Sequence, residues 1–86
     1  MAVLVAGVGV GCGASNSLQQ AQGSLVSARE AGAETKAPYE FSSAETYLQL
    51  AQHEFDEVDL KQAAIYAGKS QDFSRQALEK AGGGAR

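Results

Sequence analysis

The sequence predicts an all-α protein, a small three-helix arrangement with one N-terminal helix beside an antiparallel helical hairpin. Three observations carry this. From Ser15 onward apolar residues recur every three or four positions, the period of a helix with one buried face. No segment shows the two-residue alternation of a half-buried strand. The single proline, Pro38, and a break at "EVDLK" fall between the periodic stretches. Helices are expected near residues 16–35, 41–57 and 60–81. Eighty-six residues allow one small domain.

The first helix is read from Leu18, Ala21, Leu25, Ala28 and Gly32, which form one stripe. Gln19, Gln20, Gln22, Ser24, Ser27 and Arg29 face away from it and suit water. Ser15, Asn16 or Ser17 can cap its start. It should fade near Thr35, because Pro38 disfavours helix at Ala37. Pro38 or Tyr39 begins a connector, and Ser42 or Ser43 can cap the second helix. Its stripe is Phe41, Ala44, Leu48, Ala51, Phe55 and Val58. Asp59 is placed to cap the third helix, whose face is small: Ala63, Ala67, Ser70, Ser74, Ala77 and Ala81. Small residues let a neighbouring helix approach closely, so Phe41, Leu48 and Phe55 are expected over this floor. Charge agrees with the pairing. Residues 40–59 carry six acids and no Lys or Arg, whereas Lys61, Lys69, Arg75 and Lys80 lie on the third helix.

Residues 1–28 hold no charged side chain, while residues 29–80 hold all ten acids, six of the seven Lys and Arg residues and the only histidine. Within the apolar head, "VLVAGVGVGCGAS" (3–15) admits two readings. Gly9-x-Gly11-x-x-Ala14 has the spacing of a dinucleotide-binding turn. That fold needs a second parallel strand ending in an acid near Glu30, and "SLVSARE" is helical in spacing instead. The other reading is an export signal: an apolar run over Ala2–Val10, a small residue at Gly11, then Cys12. This resembles a bacterial lipobox. The thiol of Cys12 would take diacylglycerol through a thioether. Gly9 stands where the pattern usually has Leu, and no Lys or Arg precedes the run. A start upstream of Met1 would supply that positive segment. Ala14 is not the Asp associated with inner-membrane retention, which favours the outer membrane. The division is then a signal segment at 1–11, a helical domain at 12–81 and a glycine-rich flexible tail at 82–86.

Net charge −3 speaks against a nucleic-acid partner, which needs a basic face. One cysteine excludes an intramolecular disulfide and a cysteine-based zinc site. "HEFDEVD" (53–59) is the densest polar cluster, with His53 and Glu57 one turn apart. It is not H-E-x-x-H, and it lacks the glycine of a calcium loop. We read it as a solvated helix end, with no metal and no cofactor. No catalytic triad, paired catalytic carboxylates or phosphate loop is present, so the chain is not expected to be an enzyme. Tyr39, Tyr47 and Tyr66 are the candidates for contact with a protein partner, because aromatic residues anchor interfaces.

The hairpin "AETYLQLAQHEFDEVDLKQAAIYAGKSQDFSRQAL" (44–78) resembles a single tetratricopeptide-type unit, with Ala44, Ala51, Phe55, Ala63 and Ala67 at its packing positions. With "KAPYEFSSAETYLQLA" (36–51) and "VDLKQAAIYAGKSQDF" (58–73), residues 14–81 resemble the alanine-rich, helical-hairpin lipoproteins of unknown function in Proteobacteria. The resemblance implies a lipoprotein anchored to the membrane through Cys12. Taken with the export reading, the chain is expected in the bacterial cell envelope, on the periplasmic face of the outer membrane, as a non-catalytic helical module that binds or scaffolds another envelope protein. The alternative is a soluble helical adaptor or assembly subunit whose apolar N-terminus is disordered or packs into a partner. Nothing in the sequence points to a small-molecule substrate.

Overall fold

A computed structural model describes residues Gly9 to Gly82, with side chains from Gly13 onward. The described chain is all helix. Its elements are α1 (Gly9–Glu30), a single turn α2 (Ala33–Lys36), α3 (Pro38–Asp56) and α4 (Leu60–Lys80). Helix α4 lies in the middle, packed against α3 on one side and α1 on the other, and α1 and α3 touch less. The pairing Ser70–Ala44 makes α3 and α4 antiparallel, as does Lys80–Glu40. Helix α1 runs parallel to α4, since Leu18 packs with Ala67 while Leu25 and Ala28 pack with Ala77.

The three stripes meet in the core. Leu25, Ala28, Phe41, Ala44 and Ala77 form one buried cluster; Leu18, Ala21, Ala51 and Ala67 form the other. Leu48 touches both, and Phe55 covers the second. Of the thirteen buried apolar residues described, ten are alanine. Alanine buries little area, so the helices gain contact by bringing backbones close. Ser70 shows how close: its hydroxyl is fully buried and donates to the Ala44 carbonyl at 2.7 Å.

Several boundaries differ from the expectation, each for a local reason. Helix α1 is already formed at Gly9, ahead of the expected caps at Ser15 to Ser17. It stops at Glu30 instead of reaching Thr35. Gly32 adopts φ +83°, and its N–H donates to the Arg29 carbonyl at 2.9 Å. This left-handed glycine just past the last turn is a helix stop. The same residue starts α2, where Thr35 and Lys36 donate to its carbonyl. Pro38 is not in a connector but opens α3, where its missing N–H costs nothing. Ser42 and Ser43 therefore lie inside α3 and cap nothing.

Val58 leaves the stripe. It sits in the turn at φ +64° and is 75% exposed. Its N–H donates to the Phe55 carbonyl and that of Asp59 to Glu54, the paired bonds of a left-handed helix C-terminus. Asp59 caps α4 as expected, its carboxylate accepting from the Gln62 N–H at 3.2 Å. Gly82, at φ +91°, closes α4 in the manner of Gly32. The signal segment lies largely outside the described residues, as do the Cys12 side chain and the tail beyond Gly82.

Candidate functional site

The surface chemistry concentrates along the seam of α3 and α4. Tyr39 and Tyr47 are eight residues apart, two turns of α3; Tyr66 and Phe73 are seven apart, two turns of α4. Each pair therefore lies on one face of its helix, and antiparallel packing interleaves them. The Tyr39 ring meets Phe73 edge-on at 6.0 Å. Phe73 stacks on Tyr47 at 5.8 Å with the planes 6° apart. Tyr47 meets Tyr66 at 5.9 Å, tilted by 33°. These are the separations at which aromatic quadrupoles attract in offset or edge geometry. The Lys69 ammonium lies 5.9 Å from the Tyr47 ring centre, within cation–π reach.

The structure thus brings all three tyrosine candidates into one ladder. Phe73, which joins Tyr39 to Tyr47, was not anticipated, nor was Lys69. The two-turn spacing of the rings on both helices was the signal that could have found them. Tyr39 ends the ladder with 68% of its surface exposed. Beside it, Ser42, Ser43, Thr46 and Leu50 line a shallow groove of about 270 Å³ between Tyr39 and Tyr47.

Two charged contacts hold the frame. Lys80, in the last turn of α4, donates to Glu40 in the first turn of α3 at 2.9 Å. The Glu40 side chain is only 11% exposed. The hydrogen bond from Lys80 is the main cause that holds its carboxyl below the usual 4.5, helped by a backbone hydrogen bond and opposed by burial. Both charges also sit at the helix ends that the backbone dipoles favour. On the other edge, Arg29 pairs with Glu45 at 3.4 Å and its guanidinium lies 5.3 Å from the centre of the Phe41 ring. Acidic α3 is thus bridged to both neighbours, not to α4 alone.

The polar cluster at 53–59 forms the tip of the hairpin. His53, Asp56, Glu57 and Asp59 are exposed. Asp56 accepts from Gln52 at 3.0 Å, and Asp59 is engaged as a cap. Among the described residues no group of three or more His, Cys, Asp or Glu is placed to hold a metal ion. Among them too, no helix is long and apolar enough to cross a membrane.

The described chain is thus a small all-helical domain, an alanine-floored hairpin with a covering helix and a ring ladder on its outer seam. The chain belongs to the DUF4398 family, a domain of unknown function, whose match spans residues 16–83 and so takes in nearly all of this fold. No curated protein and no solved structure matches it.

Proposed function

We propose that the protein is a non-catalytic, lipid-anchored module of the bacterial cell envelope, on the periplasmic face of the outer membrane, that binds or scaffolds another envelope protein. One observation carries the binding role: Tyr39 is 68% exposed at the end of a ring ladder that its own fold holds in place. Residues of this kind, large, aromatic and preorganised, anchor interfaces because little entropy is lost when they are covered. The tetratricopeptide-like hairpin offers the same seam as a contact face. The anchor is supported by the lipobox-like sequence ending at Cys12. Stable attachment needs more than one acyl chain, which acylated, diacylglyceryl-modified cysteine supplies.

Two experiments test the two halves. A fatty-acid analogue fed to cells expressing the native precursor should label the protein, and Cys12→Ser should abolish the label. Label that survives the substitution refutes the anchor. A photo-crosslinker at position 39 should trap one discrete protein, and one at exposed Gln76 should not. Equal, diffuse products from both sites refute the interface.

A soluble adaptor is the second reading, and one observation favours it. Helix α1 runs unbroken from Gly9, so residues ahead of Cys12 belong to the helix that packs the domain. In that case the precursor keeps residues 1–11 and takes no lipid, and the labelling experiment gives the opposite result.

A further inference from the structure

The seam of α1 and α4 carries a second concavity, distinct from the tyrosine ladder. Ser24 and Ser27 of α1 face Gln71, Ser74, Arg75 and Leu78 of α4 across a groove of about 300 Å³. That volume is room for roughly ten water-sized groups. Its composition is unusual for this chain. The protein is acidic overall, yet among the described residues no Asp or Glu lines the groove and Arg75 is its one formal charge. The other polar linings are three hydroxyls and an amide, all able to donate. Gln71 donates to the Ser17 carbonyl at 3.4 Å, tying α4 to α1 beside the groove.

Ser74 is the second observation. It is 1% exposed, and its hydroxyl has no hydrogen-bond partner among the described residues. Its neighbour one turn earlier, Ser70, is equally buried and donates to a carbonyl. A buried donor left unmade is costly, and native proteins rarely keep one without a reason. One rotation about χ1 is the smallest rearrangement that turns a serine hydroxyl toward an adjoining groove. Arg75 has spare capacity as well. Asp72 takes one of its nitrogens at 3.1 Å, and a guanidinium has five N–H donors.

We propose that this groove binds a small monocarboxylate with a short apolar tail. The carboxylate pairs with the free edge of Arg75 and accepts from Ser74, and the tail lies on Leu78. A single charge fits best, because Asp72 already offsets part of the positive charge of Arg75. The site is independent of the tyrosine ladder, which lies on the α3 side of α4.

The test is an amide NMR titration of the full chain with butyrate, butanol and inorganic phosphate. Butyrate should move the amides of Ser24, Ser27, Ser74 and Arg75 saturably, with a dissociation constant in the millimolar range. Butanol should not, and phosphate should bind more weakly than butyrate. Arg75→Gln, at an exposed position, should weaken butyrate binding about tenfold, as expected for losing a charge-assisted bond. Asp72→Asn should strengthen it up to about fivefold by freeing the guanidinium. Ser74→Ala should weaken binding while leaving the fold intact in the same spectra. The proposal is overturned by any of three results: no saturable shift with butyrate, equal shifts with butanol, or unchanged affinity in both Arg75→Gln and Ser74→Ala.

Discussion

Two serines one turn apart on α4 should respond to the same substitution with opposite sign. Ser70 and Ser74 are both buried in the small-residue floor. Ser70 donates to the Ala44 carbonyl at 2.7 Å, whereas the Ser74 hydroxyl has no partner among the described residues. Ser70→Ala deletes a buried hydrogen bond, a net loss of about 1 kcal/mol. The Ala44 carbonyl lies inside α3 and is not orphaned, so no further desolvation penalty follows. Alanine returns about 0.5 kcal/mol of helix propensity. The net effect is a destabilisation of roughly 0.5 kcal/mol. Ser74→Ala removes an unsatisfied hydroxyl, relieving about 1–3 kcal/mol, and gains the same propensity. It should stabilise by about 1.5 kcal/mol at the lower end of that range. The gap is about 2 kcal/mol, which for a domain of this size corresponds to roughly 10 °C in Tm. Thermal melts followed by circular dichroism resolve it easily. If both variants melt within ~3 °C of each other, the Ser74 hydroxyl has a partner and is not the free donor of the α1–α4 groove.

Other parts of the fold make their own predictions. Ala67 is fully buried in the floor; Ala67→Leu should force α1 and α3 away from α4 and cost about 1–3 kcal/mol, read as a lower urea midpoint. Val58→Gly should stabilise by roughly 0.5–1 kcal/mol, because a β-branched residue at φ +64° is strained and its side chain packs little. Gly32→Ala should do the reverse by about 1–2 kcal/mol, since the position holds φ +83°; equal effects of the two substitutions in the same melts would refute the turn assignments. Glu40 has a folded pKa below its usual 4.5, so its pair with Lys80 stabilises above that value and the contribution disappears as pH falls through the lowered pKa. Urea titrations of wild type and Glu40→Gln should therefore differ at neutral pH and converge in acid.

The stripes were legible because packing in this chain is periodic and nearly all small. Leu18 to Ala28, Phe41 to Ala51 and Ala63 to Ala77 follow the three-and-four spacing, and those positions are buried, Leu48 partly so. The helix ends were less legible where one residue had two possible uses. Gly32 fits the end of the first stripe by spacing, yet its freedom at positive φ made it the stop. Val58 fits the second stripe by hydrophobicity, but the turn needed its backbone and left its side chain in water. The tyrosines were identified singly because a helix places residues seven and eight apart on one face, while the interleaving depends on the register of two helices. That register is fixed by tertiary contacts such as Ser70 with Ala44 and Lys80 with Glu40. The donor-rich groove was hidden for a related reason. Ser24 and Ser27 read as a solvated face of α1 until α4 is set beside them.

The alanine floor also bears on where a partner would act. Close-packed alanines give rigid contact but bury little area, so the domain draws modest stability from its interior. Its larger rings sit mostly at the edge of that interior, only partly buried. Phe41 is the only fully buried one, while Phe73, Tyr47 and Tyr66 are partly covered and Tyr39 is open. Apolar area therefore remains to be buried along the outer edge of the α3–α4 seam. A partner that covers the ladder adds stability to the folded state by mass action, about 2.7 kcal/mol at a hundredfold excess over its Kd. Folding and binding are then linked through the same four rings. Tyr39→Ala should cost the isolated protein no more than the edge contact with Phe73, about 0.5–1.5 kcal/mol, and should remove the stabilisation that such a partner would confer.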